Sequence, residues 1–139
     1  MQTIAIRAAE SMLRALGGGA IVLRVPAAMA AASLNPGLGL DAPLTKDVVL
    51  SPAVLRDVAR VAGTPGQAYE AIFPISALAS VLERSGQSAA DYLASAYGVV
   101  QQRNGIGASG APERVLRVVG VHIERFAGEE HLVSLELRQ

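Results

Sequence analysis

Alternation of apolar and polar residues is clearest near the C-terminus. Every second position before and after a glycine-containing turn is apolar, with the exception of Arg117: Val115, Val119, Val121 and Ile123, then Val133, Leu135 and Leu137. A period of two is typical of half-buried strands, so the pattern predicts an antiparallel hairpin over residues 114–137. A three-residue loop at 127–129 would give this hairpin one continuous apolar face. The pairs predicted are Ile123 with Val133, Val121 with Leu135, and Val119 with Leu137.

The N-terminal part of the chain predicts a helix and then a strand. Residues 3–16 carry a stripe of apolar side chains at helical spacing, and three glycines at 17–19 end it: Ala5, Ala9, Met12, Leu13 and Leu16. Residues 20–25 favour a strand. Residues 26–46 hold Ala, Pro and Gly without periodicity, which predicts a long exposed loop. Because this loop is long and apolar, we expect it and the helix to contact neighbouring molecules.

The middle of the chain predicts further strands. Residues 47–61 are compatible with a helix that begins at Ser51, but the β-branched residues Val48 and Val49 favour a strand through about residue 56. In that strand Pro52 would mark a bulge or an edge position. Residues 67–75 and 99–102 predict two more strands.

Two short helices are predicted between residues 76 and 98. Ser76 can cap the first helix, which Gly86 ends, and Ser88 with Asp91 forms a capping box for the second, which Gly98 closes. The 139 residues suffice for one buried core. We therefore predict a single α+β domain over 1–139. Its body is a mainly antiparallel β-barrel or sandwich, with an N-terminal helix and a two-helix insertion before the C-terminal hairpin.

Composition narrows the functional classes. Twelve basic and 12 acidic residues give zero formal charge, which argues against a broad cationic face that grips nucleic acid. The absence of cysteine excludes disulfides, thiolate metal sites and cysteine nucleophiles. No apolar run reaches about 18 residues, so no membrane-spanning helix is predicted. A signal peptide is a minor alternative, because Glu10, Arg24 and Pro26 interrupt the N-terminal pattern.

Residues 105–110 match the spacing G-x-G-x-x-G of dinucleotide-binding loops. That motif binds a pyrophosphate only where it joins a strand to a helix. Here Ala111 and Pro112 follow, and then a β-patterned run begins. A flexible loop is therefore the favoured interpretation.

His122 and His131 are the only histidines and could form a zinc or acid–base site with Glu124. In the predicted hairpin register they fall on opposite faces, so we interpret them as surface residues. The aspartates and serines form no recognisable catalytic arrangement. The sequence thus predicts no catalytic, cofactor-binding or metal-binding residue, no cofactor, and no enzyme.

The C-terminal run also resembles a known family. RVLRVVGVHIERFAGEEHLVSLEL, from Arg114 to Leu137, resembles the closing hairpin of head-completion proteins of tailed phages, prophages and gene transfer agents. ASAYGVV, from Ala94 to Val100, is similar to the helix–glycine–strand step of those proteins. The resemblance covers about residues 67–137 and includes no catalytic signature.

The resemblance implies a structural virion protein of the head–tail neck. Its expected partners are identical copies in a ring, and the portal and tail or neck proteins; DNA would pass through without sequence-specific binding, and no membrane is involved. The subunit could be a connector, a stopper or a tail terminator. A small cellular protein-binding or regulatory module is the alternative.

Overall fold

The protein is a closed barrel of six antiparallel strands. The computed structural model describes residues 4–26, 45–58, 68–101 and 114–139. The strands follow one another around the barrel as β1-β2-β3-β6-β5-β4, and β4 pairs with β1. They are β1 (Gly19–Pro26), β2 (Thr45–Val58), β3 (Ala68–Pro74), β4 (Gly98–Gln101), β5 (Arg114–Phe126) and β6 (Glu129–Arg138). The expectation of a mainly antiparallel β-body is confirmed, and it is a barrel.

Helical segments stand before β1 and between β3 and β4. Helix α1 (Ile4–Ala15) precedes the barrel, and a 3₁₀ turn (Ile75–Leu78) leads into α2 (Ala79–Ser85) and α3 (Ala89–Ala94). This order agrees with the predicted N-terminal helix and two-helix insertion before the C-terminal hairpin.

The core fills the barrel from alternate strand positions. Every strand contributes inward side chains, and the insertion adds more: the fully buried residues include Leu23, Leu50, Phe73, Leu78, Leu93, Val99, Leu116 and Leu135. No charged or polar residue among the described ones is buried. The barrel is therefore held by apolar packing, which the period-two alternation of its strands supplies.

Helix α1 ends in a glycine-based cap. The Gly18 N–H donates to the Leu13 carbonyl over 2.8 Å, and the Gly17 N–H donates to the Arg14 carbonyl over 3.1 Å. Gly17 has φ +81°, the left-handed conformation of a Schellman motif. A β-carbon at Gly18 would lie 2.6 Å from the Leu13 carbonyl oxygen. The predicted helix end is confirmed.

The apolar stripe predicted for α1 is only partly buried. Ala9 and Leu13 are buried, whereas Met12 is 47% exposed and Leu16 67% exposed. The helix contacts β2, β3 and β6, and the Ser76 hydroxyl donates to the Glu10 carboxylate over 2.6 Å. The helix thus lies against the barrel along a narrow line and leaves apolar side chains outside.

Strand β2 is longer than predicted and changes partners near its middle. Its residues 45–53 pair with β1 and its residues 54–58 pair with β3. The β1–β2 register shifts between Gly19 and Ile21, opposite Pro52, which follows a cis peptide bond. The predicted bulge at Pro52 is confirmed, and a helix over 47–61 is wrong for the described residues 47–58.

Two details of the predicted helices are wrong. Ser76 lies inside the 3₁₀ turn and bonds to Glu10 instead of capping a helix. Gly98 does not close α3, which ends at Ala94; it belongs to β4, where a β-carbon would collide with the Leu116 carbonyl oxygen. By contrast, Ser88 accepts the Asp91 N–H over 3.2 Å, and Gly86 ends α2 in the left-handed conformation.

The C-terminal hairpin contains two bulges that the sequence pattern did not reveal. Ile123 pairs with Val133 and Val121 with Leu135, as predicted, but Val118 rather than Val119 pairs with Leu137. The register shifts between Val118 and Gly120, and such an extra residue reverses which face the following side chains occupy. The inward positions on this part of β5 are consequently Leu116 and Val118, and Val119 is exposed.

The turn of this hairpin also differs from the prediction. Phe126 pairs with Glu129, so the loop has two residues rather than three. Both loop residues have positive φ, +52° at Ala127 and +82° at Gly128, as a type I′ turn requires. A second register shift between Glu124 and Arg125, opposite His131, restores the predicted pairs beyond it.

Two predicted loops lie wholly or mainly outside the described residues. Of the loop expected at 26–46, residues 27–44 are not described, and Pro26, Thr45 and Lys46 belong to strands. The glycine motif at 105–110 is not described either. Its flanking strands β4 and β5 pair antiparallel, which is not the parallel crossover that a dinucleotide-binding motif needs.

Candidate functional site: an apolar groove between helix and hairpin

An apolar groove opens on the outside of the barrel between α1 and the turn of the β5–β6 hairpin. Its volume is about 460 Å³, within the usual range for ligand and side-chain pockets. One wall comes from α1, with Ile4, Ala5, Ala8, Ala9 and Met12, and the other from the hairpin, with Glu124, Phe126, His131 and Leu132. Seven of these nine lining residues are apolar, so the groove fits an apolar side chain.

Its most exposed apolar side chains stand at the two sides of the opening. Ile4 is 87% exposed on the helix, and Phe126 is 66% exposed on the hairpin. The small residues Ala5 and Ala8 leave space between them along the helix. Exposed apolar side chains that line one concavity indicate a contact surface, since single scattered ones are commonplace.

The bulge at His131 shapes the hairpin wall. It brings the His131 ring against Phe126, with the ring centroids 6.5 Å apart and the planes at 77°, an edge-to-face arrangement. The side chain of His131 is 18% exposed. The bulge therefore fixes Phe126 beside the groove.

Two polar groups lie on the hairpin side of the groove. His131 Nε2 is 3.8 Å from Glu124 Oε2, too long for a hydrogen bond but close enough for an ion pair when the histidine is protonated. His131 Nδ1 is buried without a hydrogen-bond partner. The carboxylate of Glu124 remains half exposed, so it can accept a hydrogen bond from a bound partner.

The structure changes the interpretation of the two histidines. The bulge turns His131 towards Glu124, which is two residues from His122 in β5 and therefore shares its side of the strand. The alternation argument for opposite faces is thus wrong. His122 is exposed and does not line the groove. Across the described ranges, no three histidine, aspartate or glutamate residues are grouped so as to hold a metal ion.

Other polar contacts on the outer surface join neighbouring strands. Arg24 on β1 donates to Asp47 on β2 through two nitrogens, at 2.9 and 3.1 Å. The hydrogen bond from Arg24 holds the pKa of Asp47 below its usual value of 3.8. This pair lies away from the groove and links strands.

A second cluster joins β2, β3 and β6. Glu70 accepts the Ser134 hydroxyl at 2.6 Å and the Arg56 Nε at 2.8 Å. The Ser134 hydrogen bond, and then Arg56, hold the pKa of Glu70 below its usual value of 4.5. Inside, burial raises the pKa of Tyr92, whose hydroxyl has no hydrogen-bond partner.

The hairpin is polarised in charge along its length. Residues 124–131, at the turn, contain three glutamates and one arginine, and that Arg125 pairs with Glu130 over 3.1 Å. The other end carries Arg114, Arg117 and Arg138, all exposed. Arg117 and Arg138 stand directly opposite each other on β5 and β6. No described carboxylate forms an ion pair with any of these three arginines.

Sequence reasoning named Glu124 and His131 but missed the groove. Phe126 and Ile4 carry no motif, and they line one groove only because α1 packs against the barrel. A lone phenylalanine beside a predicted tight turn was the one available signal, since a turn position is normally exposed.

Comparisons with known proteins do not assign the chain to a family. No protein-family model matches it, and neither a curated protein nor a solved structure shows significant similarity. Within the described ranges, no helix is both long enough and apolar enough to cross a membrane.

Proposed function

We propose that the protein is a non-enzymatic structural component of the head–tail neck of a phage-like particle. It acts as a connector or stopper ring that joins the portal to the tail and lets DNA pass. In this role it belongs to the virion and is assembled in the cytoplasm of a bacterial host. The proposal rests on the hairpin resemblance given above.

The observation that carries an assembly role is the apolar groove beside the hairpin turn. Phe126 and Ile4 are largely exposed there, and burying a phenylalanine or isoleucine side chain contributes about 1.5–3 kcal/mol. Apolar side chains grouped around one concavity are available to pack against a neighbouring molecule. A protein that assembles with neighbouring molecules would bury these side chains in the contact.

Particle composition and a gene deletion test this function. In cells that carry the gene, we expect the protein in purified particles, as detected by mass spectrometry. Deleting the gene should leave unjoined heads and tails, seen by electron microscopy. Absence of the protein from particles, or normal particles after deletion, would contradict the proposal.

A surface variant connects the function to the groove. Phe126→Ser should fail to restore joined particles in the deletion strain while it remains folded by circular dichroism. Val49→Ser is the matched control, because Val49 is 64% exposed on β2 and does not line the groove; it should restore them. Equal restoration by both variants would remove the groove from the mechanism.

A small protein-binding module of the cell is the second candidate, and the size of the groove supports it equally. Neighbouring genes separate the two. Portal, capsid and tail genes beside this one favour the neck, and metabolic neighbours favour the cellular module.

A further inference from the structure

The two ends of the β5–β6 hairpin carry complementary surfaces. The acidic tip consists of Glu124, Phe126 and Glu129, beside the apolar groove. The basic base consists of Arg114, Arg117 and Arg138, with the exposed Val115 and Val119 beside it. Glu124 lies seven positions after Arg117 on β5, so roughly 23 Å separates the two surfaces.

Among the described residues, the base carries a repulsion that no ion pair offsets. Like charges directly opposite each other on adjacent strands are destabilising, and Arg117 and Arg138 are such a pair. The nearby Glu136 lies over Gly120, where a β-carbon would be 2.8 Å from its Oε2, towards the middle of the hairpin. Carboxylates from outside the subunit would relieve this repulsion.

We propose that the occupant of the base is the acidic tip of a second copy of this chain. Glu124 and Glu129 of one copy face Arg117 and Arg138 of the next, and Phe126 packs against Val115 and Val119. Because each copy offers one tip and one base roughly 23 Å apart, the contact is head-to-tail and continues from copy to copy. Such heterologous contacts generate rings when the rotation closes.

This contact would join neighbouring subunits of the neck ring, and it rests on the proposed function for that role. A tip-to-tip contact would oppose glutamates, and a base-to-base contact would oppose arginines. Charge complementarity therefore favours the tip-on-base arrangement over both.

Charge reversal tests the contact in solution. The tip variant combines Glu124→Arg with Glu129→Arg, and the base variant combines Arg117→Glu with Arg138→Glu. Sedimentation of the full chain at low salt should show wild-type protein in assemblies larger than two copies. Each variant alone should associate about tenfold or more weakly, because like charges then face each other.

Mixing the two variants gives the sharper result. A basic tip fits an acidic base, so an equimolar mixture should regain the wild-type assembly. A charge exchange on α2, Glu83→Arg with Arg84→Glu, is the control and should leave association unchanged. All three variants are compared for fold by circular dichroism, and raising the salt to about 1 M should weaken the wild-type assembly.

The following outcomes would overturn the proposal. Wild-type protein that stays monomeric at about 1 mM, where even a contact with a Kd of about 1 mM is half occupied, shows that the contact does not form. Assembly that stops at two copies excludes the head-to-tail arrangement. Variants that associate like wild type, or a mixture that fails to recover, show that other surfaces are used.

A result that excludes the tip-to-base contact can be told apart from a result that excludes the neck function. If the protein is found in particles but the tip and base variants behave like wild type, the neck function stands and these two surfaces do not form the contact. If mixing the two variants restores assembly but the protein never enters particles, the tip-to-base contact stands and the neck function is wrong.

Discussion

Removing the side chain of Leu13 should detach α1 from the barrel. Leu13 is fully buried, and Ala9 is the only other buried residue of the helix. Leu→Ala at a buried site costs about 2–5 kcal/mol, part of it from the cavity left behind. Because α1 can lift away instead of keeping that cavity, we expect a loss near the lower end, about 2–3 kcal/mol of unfolding free energy.

Leu16→Ala is the matched control. It removes the same atoms from the residue that directly follows the helix, but Leu16 is 67% exposed, so we expect a change within about 0.5 kcal/mol. Urea unfolding followed by circular dichroism measures both variants. Amide hydrogen exchange should also rise in residues 4–15 of Leu13→Ala while strands β3 and β6 keep their protection.

Two results would refute this reasoning. Equal losses in the two variants would show that α1 does not use Leu13 as its anchor. Uniformly faster exchange across barrel and helix would show that α1 and the barrel unfold as one unit. If the helix does detach, the groove loses one wall, and Leu13→Ala should impair any partner binding there as well.

Three further predictions follow from single positions. Gly98→Ala should cost about 1–3 kcal/mol, because its β-carbon meets the rigid carbonyl of Leu116, whereas Gly19→Ala, which has open space, should be nearly neutral in urea unfolding; equal costs would contradict this. Ala127→Asn should raise the free energy of unfolding by about 0.5–1 kcal/mol and with it the thermal midpoint, since Asn tolerates positive φ better in a type I′ turn; a lowered midpoint would argue against that turn. The folded-state pKa of Glu70 lies below its usual 4.5, so its contribution is complete above that value and is lost as the pH falls through the folded-state pKa. Glu70→Gln should therefore show a flatter loss of stability between about pH 5 and 2 than wild type, and an unchanged slope would remove Glu70 from the acid response.

Much of the secondary structure could be predicted because it depends on neighbours in the chain. The Schellman end at Gly17 and Gly18, the Ser88 cap and the alternation of β6 are all local patterns. Each is set by hydrogen bonds or side-chain directions within a few residues. The fold class followed from the same patterns, since several alternating strands with few helices need an antiparallel body.

The candidate site could be predicted only in fragments. His131 and Glu124 attracted interest as ionisable residues, but the alternation rule misplaced His131, because one extra residue in the strand reverses the side that follows. The same effect made Val119 look inward when Val118 takes that place. A bulge changes the local free energy of a strand only a little, so its position depends on how the whole hairpin packs.

The sequence by itself therefore determined the helices and strands, and it contains enough apolar side chains for one core. Only the tertiary structure decided which strands meet, where the hairpin bulges, and which side of α1 is covered. Those choices depend on contacts between residues far apart in the chain, such as Glu10 with Ser76 and β1 with β4. The groove beside Phe126 arises at that level, since it exists only once the barrel has closed and α1 lies against it. The charge polarity of the hairpin, by contrast, is already present in the sequence of its two strands and turn.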